Sequence, residues 1–254
     1  MNILATTALD TMSANPEPHP EVAAVTERYA RRGVNSVYAA LRPEVVRSTQ
    51  EWQRALLHVL SNVCRYSDAD LRGLRLLDVG CGFGTHLLDF LRVGFAPEHL
   101  TGIELLSERA EAARRRLPST VRVLQCDASA ADVEPGSQHI VFQSVVFSSL
   151  LDDGFQQALA QRMWDWLRPG GWVLWYDFIY DNPANRDVRG VPVARVRTLF
   201  PSARLDWRRV TLAPPISRAV CRLHPALYGA FNTLPWLRSH ALVWMQKSGS
   251  VPAS

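Results

Sequence analysis

The chain has 254 residues, 47% hydrophobic and 20% charged, which suits one large core or a core with a cap. Its formal charge is only +4 and no dense basic run is interleaved with aromatics, so the composition argues against a nucleic-acid partner. Lys247 is the only lysine, which makes 27 of the 28 basic residues arginine, spread along the chain.

Residues 1–20 read as a loose tail ending in Asn15-Pro16-Glu17-Pro18-His19-Pro20. Helical spacing follows in Val22, Val25 and Tyr29 and again in Val45, Trp52, Leu56 and Val59, with Pro43 suited to a first turn. The span 21–72 is therefore predicted as an N-terminal helical cap, and 73–254 as the core. Strands are predicted at Leu74–Val79, His99–Leu105, Val121–Cys126, His139–Phe147 and Trp172–Phe178. Helices fit between them, at Ser107–Leu117 behind a serine cap and at Gly154–Leu167 ahead of Arg168-Pro169-Gly170-Gly171. Apolar strands separated by helices predict a parallel sheet covered on both faces. Beyond Phe178 a polar loop precedes a helix near Val191–Phe200 and a strand at Leu205–Leu212. A helical insertion near 214–236 follows, kinked or split at Pro225, and His240–Gln246 closes the chain as a last strand.

Cys64, Cys81, Cys126 and Cys221 are scattered without a C-x-x-C pair, which predicts neither a disulfide framework nor a metal site. The N-terminus lacks a basic start followed by an apolar core, and no apolar stretch reaches the ~20 residues that span a bilayer. A cytoplasmic protein is the expectation.

One local signal stands out. The run Asp78-Val79-Gly80-Cys81-Gly82-Phe83-Gly84 lies between a predicted strand and a predicted helix, the order that brings backbone close to a nucleotide-like ligand. Thr85 stands where a dinucleotide fingerprint has its last glycine, which disfavours a nicotinamide-dependent oxidoreductase. Glu104 ends the second strand twenty residues after Gly84, the separation of a ribose-binding carboxylate.

The D-x-G-x-G-x-G spacing resembles the first motif of the class I S-adenosylmethionine (SAM) methyltransferases. The resemblance extends over residues 74–178, where Leu167-Arg168-Pro169-Gly170-Gly171-Trp172 is similar to the family's turn before the fifth strand. It implies an α/β fold: a Rossmann-like, doubly wound, mainly parallel seven-stranded sheet with a C-terminal antiparallel strand. It also implies SAM as cofactor, held by Asp78, Gly80, Cys81, Gly82, Gly84, Glu104, Leu105, Asp127, Ala128 and Gln143. The chain departs from many relatives at the start of the fourth strand, where His139 preceded by Gln138 replaces an acidic residue.

The acceptor side is less marked. Phe147 and Ser148 follow the fourth strand, while Tyr176 and the loop residues Asn182, Asn185 and Arg189 follow the fifth, and all are candidate substrate contacts. Tyr29 and Tyr38 are candidates for closing over the site from the cap. Asp177, on the carboxyl edge of the sheet, is the first choice for a general base, and His240 the second. The expected acceptor is a small molecule, methylated at a hydroxyl of a sugar or secondary metabolite. A nitrogen acceptor, a lipid-linked acceptor touched at a membrane surface, and a non-catalytic SAM-binding regulatory subunit are the alternatives. A monomer or homodimer is expected.

Overall fold

The computed structural model describes residues 19–32, 39–67, 70–183 and 185–249, with 32 and 63–67 by backbone alone. Two helices come first, α1 (Pro20–Arg32) and α2 (Pro43–Ser67). Each starts with a proline, whose missing N–H costs nothing in a first turn, and each carries a glutamate at the positive end of the helix.

The core is a seven-stranded sheet. Its strands are β1 (Leu76–Val79), β2 (Leu100–Glu104), β3 (Arg122–Gln125), β4 (Gln138–Ser144), β5 (Leu167–Phe178), β6 (Arg204–Leu212) and β7 (Arg238–Gln246). They lie in the order β3-β2-β1-β4-β5-β7-β6. All neighbours up to β5 pair parallel, and β7 runs antiparallel between β5 and β6. The fold is thus α/β and Rossmann-like, and the strand order reverses between β1 and β4. That switch point opens a crevice at the carboxyl ends of the strands, where ligands enter such sheets.

Alternation along the strands divides the apolar residues between two faces. Leu77, Val79, Val141, Val173 and Trp175 face one layer, formed by α1, α5 (Asp153–Trp166) and α6 (Val193–Leu199). Leu76, Ile140, Phe142, Trp172 and Leu174 face the other, formed by α2, α3 (Thr85–Val93) and α4 (Ser107–Arg116). The two N-terminal helices therefore cover opposite faces of the sheet. A third, small cluster joins Leu212 to Val220, Cys221 and Tyr228 of α7 (Pro214–Leu223) and α8 (Leu227–Asn232).

Two predicted boundaries shift for physical reasons. The strand expected over His139–Phe147 stops at Ser144, because Val145 turns into the left-handed region with φ 58° and Phe147–Ser149 forms a single tight turn. The Pro169-Gly170-Gly171 segment, expected to be a plain turn, lies inside β5. There a bulge absorbs it, the pairing passing from Gln138 opposite Leu167 to Ile140 opposite Trp172. Pro225 separates α7 from α8, as its missing N–H requires.

Candidate active site

The carboxyl ends of β1, β2, β3 and β4 border a cavity of about 330 Å³, with α1 as its outer wall. Its floor is the glycine turn. Gly80 has φ +71°, and a Cβ there would come within 2.4 Å of a Val146 methyl, so no other residue fits. A Cβ at Gly82 would meet nothing within 4 Å, since that position opens on the cavity. Cys81 turns the other way, its sulfur seated on Gly102, and its thiol is pushed up by burial and by the nearby Asp78 charge. It packs and is not poised to react.

Glu104 ties the turn to the next helix. Its Oε2 accepts from Gly82 N at 2.8 Å and its Oε1 from Leu106 N at 2.9 Å, and it is buried on the cavity wall. Each oxygen keeps a second lone pair for a ligand hydroxyl. Asp127 and Ala128 close the far end. Both Asp127 oxygens accept from Ser129, from its backbone N and from its hydroxyl, so the carboxylate caps the short turn Ala128–Ala130 while bordering the cavity.

Asp78 lies behind the turn, 1% exposed, with neither oxygen partnered. Burial, and then the charge of Glu104, push it well above the usual carboxylate range.

Tyr29, expected to close over the site from the cap, does line the cavity, and further residues join it there. Val22, Val25 and Tyr29 of α1 form the wall, and Arg109 of α4 stacks 4.3 Å over the Tyr29 ring. His86, in the first turn of α3, also lines the cavity. It packs edge-on against Trp52 of α2 at 4.9 Å and against Phe142 at 5.3 Å. Its Nδ1 is 3.8 Å from Asp89 Oδ2, and Gln53 Nε2 donates to Asp89 Oδ1 at 3.0 Å. Burial opposes charge on Asp89, yet His86, Gln53 and Arg92 outweigh it and hold the carboxylate below its usual value. The signal for His86 was its place one residue past Thr85, on the helix that the glycine turn aims at the ligand.

Other expected site residues lie elsewhere. Asp177 is fully buried and lies outside the lining of this cavity; it accepts from Ser148 N at 3.1 Å and Phe178 N at 2.8 Å and braces the turn after β4. Burial raises it to about 6. His240 lies between the Tyr176 ring, stacked at 4.8 Å, and the Phe178 ring at 4.0 Å, and burial lowers it to about 3. Both expectations for a general base are thus corrected, since a buried group boxed in by its neighbours meets no acceptor. Gln143 is also internal, its Oε1 accepting from Val146 N at 3.0 Å.

Phe147 packs at a tilt against Trp175 at 4.3 Å in the core, Ser148 is buried beside it, and the Tyr176 hydroxyl shares a hydrogen bond with Thr211 at 2.8 Å. Asn185 Oδ1 accepts from Asp187 N inside its own loop, and Arg189 N donates to Ser148 O at 2.8 Å while its guanidinium pairs with Asp153. Asn182 is exposed. None of these, nor Gly84, lines the cavity. Tyr38 lies outside the described residues.

Residues 76–171 match a family model described as a methyltransferase domain. That segment of the chain is thus a methyltransferase domain. Solved structures of this fold align over most of its length. A SAM-dependent methyltransferase from Archaeoglobus fulgidus is 13% identical, with 75% of this chain and 94% of that one covered and a TM-score of 0.54. Phosphoethanolamine N-methyltransferase 2 from Haemonchus contortus, solved with SAM, is 14% identical, covers 86% of this chain and 61% of its own, and scores 0.56. The cyclase SpnF, 16% identical with 79% and 84% covered, also scores 0.56. These likenesses are of fold alone, and the methyltransferase fold therefore does not by itself fix the reaction. No curated protein matches the chain in sequence.

Proposed function

We propose that the cavity holds SAM and that the chain methylates a hydroxyl of a small-molecule acceptor, a sugar or secondary metabolite. The observation that carries this reading is Glu104, a buried carboxylate bound to Gly82 N and Leu106 N with lone pairs left over at the mouth of a glycine turn.

The residues present fit SAM. Glu104 would take the ribose hydroxyls, Asp127 and Ala128 would flank the adenine, and the open Cβ position of Gly82 admits the amino-acid end. The unpartnered Asp78 would accept a hydrogen bond from the amino group from behind the turn, through water. Tyr29 and the valines of α1 would exclude solvent. When bound, SAM supplies an electrophilic methyl on a sulfonium, and the enzyme's main task is to align acceptor and donor.

A hydroxyl acceptor must lose its proton as it attacks. His86 is the cavity group suited to receive it. Its Nδ1 lies 3.8 Å from Asp89 Oδ2 without a hydrogen bond, and a neutral ring would take the acceptor's proton on its free nitrogen.

Calorimetric titration with SAM, S-adenosylhomocysteine and NAD tests the cofactor, and heat from NAD alone would overturn it. Glu104→Ala should weaken SAM binding by more than about tenfold, the loss of charge-assisted hydrogen bonds. His86→Ala should keep SAM affinity but slow methyl transfer by about a hundredfold. The assay would follow labelled methyl from SAM into a panel of sugars and small metabolites. Equal rates in the His86 variant would remove it as the base.

A further inference from the structure

A second cavity lies elsewhere in the described part of the molecule. It is a cleft of about 500 Å³ between α2, β6, α8 and the start of β7, and it shares no lining residue with the cofactor cavity. Its polar walls are Glu51, Arg54 and His58 of α2, Arg208 of β6, Asn232 of α8 and Arg238 of β7. Arg209 also borders it, but its guanidinium lies 5.7 Å over the Tyr180 ring.

The charges here do not balance. The carboxylate of Glu51 is already engaged, accepting from Thr211 N at 2.9 Å and from the Tyr228 hydroxyl at 2.7 Å. Among the described residues, none of the three arginines makes an ion pair. Arg208 donates from Nη2 to Ala55 O at 3.0 Å. Arg238 donates to the carbonyls of Asn232 and Arg209. Backbone carbonyls fix where these side chains point, but they leave the charge in place. Three guanidinium groups less one carboxylate leave two positive charges. Burial, and then the nearness of Arg238, lower Arg208 from its ordinary value.

The walls also hold unsatisfied groups. Arg208 Nε is buried with no acceptor, and Asn232, only 8% exposed, has an Oδ1 with no donor. Buried polar atoms left unpaired are costly and uncommon in folded proteins.

We propose that this cleft binds a phosphate monoester. A dianion balances the two charges, and its oxygens match the planar forks of arginine. The volume exceeds what a bare phosphate fills, so the ester carries a small organic group. The site does not depend on the methyl-transfer reading. Helix α2 is the partition between the two cavities: Arg54 faces the cleft, while Trp52 packs on His86 of the cofactor cavity.

The test is calorimetric titration of the full chain at low ionic strength with glycerol 3-phosphate, inorganic phosphate and acetate. A parallel arm uses vesicles containing phosphatidic acid, which carries the same headgroup chemistry on a lipid. Glycerol 3-phosphate should bind more tightly than acetate, and Arg208→Gln and Arg54→Gln should each weaken it about fivefold or more. Arg54 is exposed, so its variant keeps the fold if Arg208→Gln does not, and its SAM affinity should stay unchanged. Binding to vesicles alone, lost in Arg54→Gln, would assign the same site to a lipid phosphate. The proposal falls if no phosphate binds below about 10 mM. It falls equally if binding, soluble or to vesicles, is the same in wild type and in Arg54→Gln.

Discussion

His240 shows how a single burial sets acid stability. Stacked on Tyr176 and packed against Phe178, it stays neutral in the folded chain, lowered to about 3. An unfolded histidine titrates near 6.5. The folded value is depressed, so its contribution to stability is full above about 6.5 and is lost as pH falls toward 3. Each unit in that window is about 1.4 kcal/mol, or about 2 kcal/mol by pH 5. Asp177 works in the opposite sense. Raised to about 6 by burial, it favours the folded state below about 4 and loses that contribution as pH rises through 6. Urea titrations at pH 8 and pH 5 should therefore show His240→Phe losing about 2 kcal/mol less than wild type between the two. Equal losses would mean that His240 is charged inside the fold.

These two residues also mark the limit of what the sequence carried. The glycine turn, Glu104 and Asp127 were legible because their geometry is local: a strand, a turn and a fixed spacing put them at one edge. Asp177 and His240 lie at that edge too, but position along a strand does not say whether a group meets solvent or is enclosed. The enclosure comes from partners distant in sequence, Ser148 for Asp177 and Tyr176 for His240. His86 went unseen for the same reason, since Trp52 reaches it, and Gln53 reaches its neighbour Asp89, only after α2 has docked on the sheet.

At the level of elements, α1 decides whether the cofactor cavity is closed. It is held by a buried ion pair, Arg28 with Glu21, each under a tenth exposed. Glu21 Oε1 also accepts from Leu151 N at 2.6 Å, and Arg28 Nη2 donates to Ser149 O at 3.0 Å. Both partners thus grip the segment after β4, which Asp177 braces from below. Removing one member of a buried pair leaves the other charge uncompensated, at a cost of about 3–5 kcal/mol. A helix of this length has little stability of its own and can open locally before the sheet does. Arg28→Met should therefore raise hydrogen exchange over 20–32 while leaving exchange in β1 and β4 unchanged. It should also weaken SAM binding about fivefold or more, since Val22, Val25 and Tyr29 leave the wall. Unchanged exchange in α1 would show that apolar packing alone holds the helix.

On the scale of the whole molecule, two large apolar layers share one sheet, whereas α7 and α8 rest on a small cluster of their own. Burial in proportion to area makes the sheet the most stable unit and the α7–α8 pair the least. Arg238 of β7 ties α8 to the sheet through the Asn232 carbonyl, and Glu51 couples the pair to α2, receiving Thr211 N from β6 and the Tyr228 hydroxyl from α8. Thr211 is itself strained, a β-branched residue at φ 62°, and the Glu51 bond helps hold it there. Glu51→Ala would strand two buried donors, at about 1–3 kcal/mol each, all within reach of the weakest unit. Exchange over 214–232 should then rise well above that of the sheet, and urea unfolding should lose its single transition. SAM at a hundred times its dissociation constant should add about 2.7 kcal/mol to unfolding of the sheet in wild type and variant alike, because α7 and α8 supply nothing to the cofactor cavity. If SAM instead slowed exchange over 214–232 in the variant, the two halves of the molecule would be coupled by a route other than Glu51.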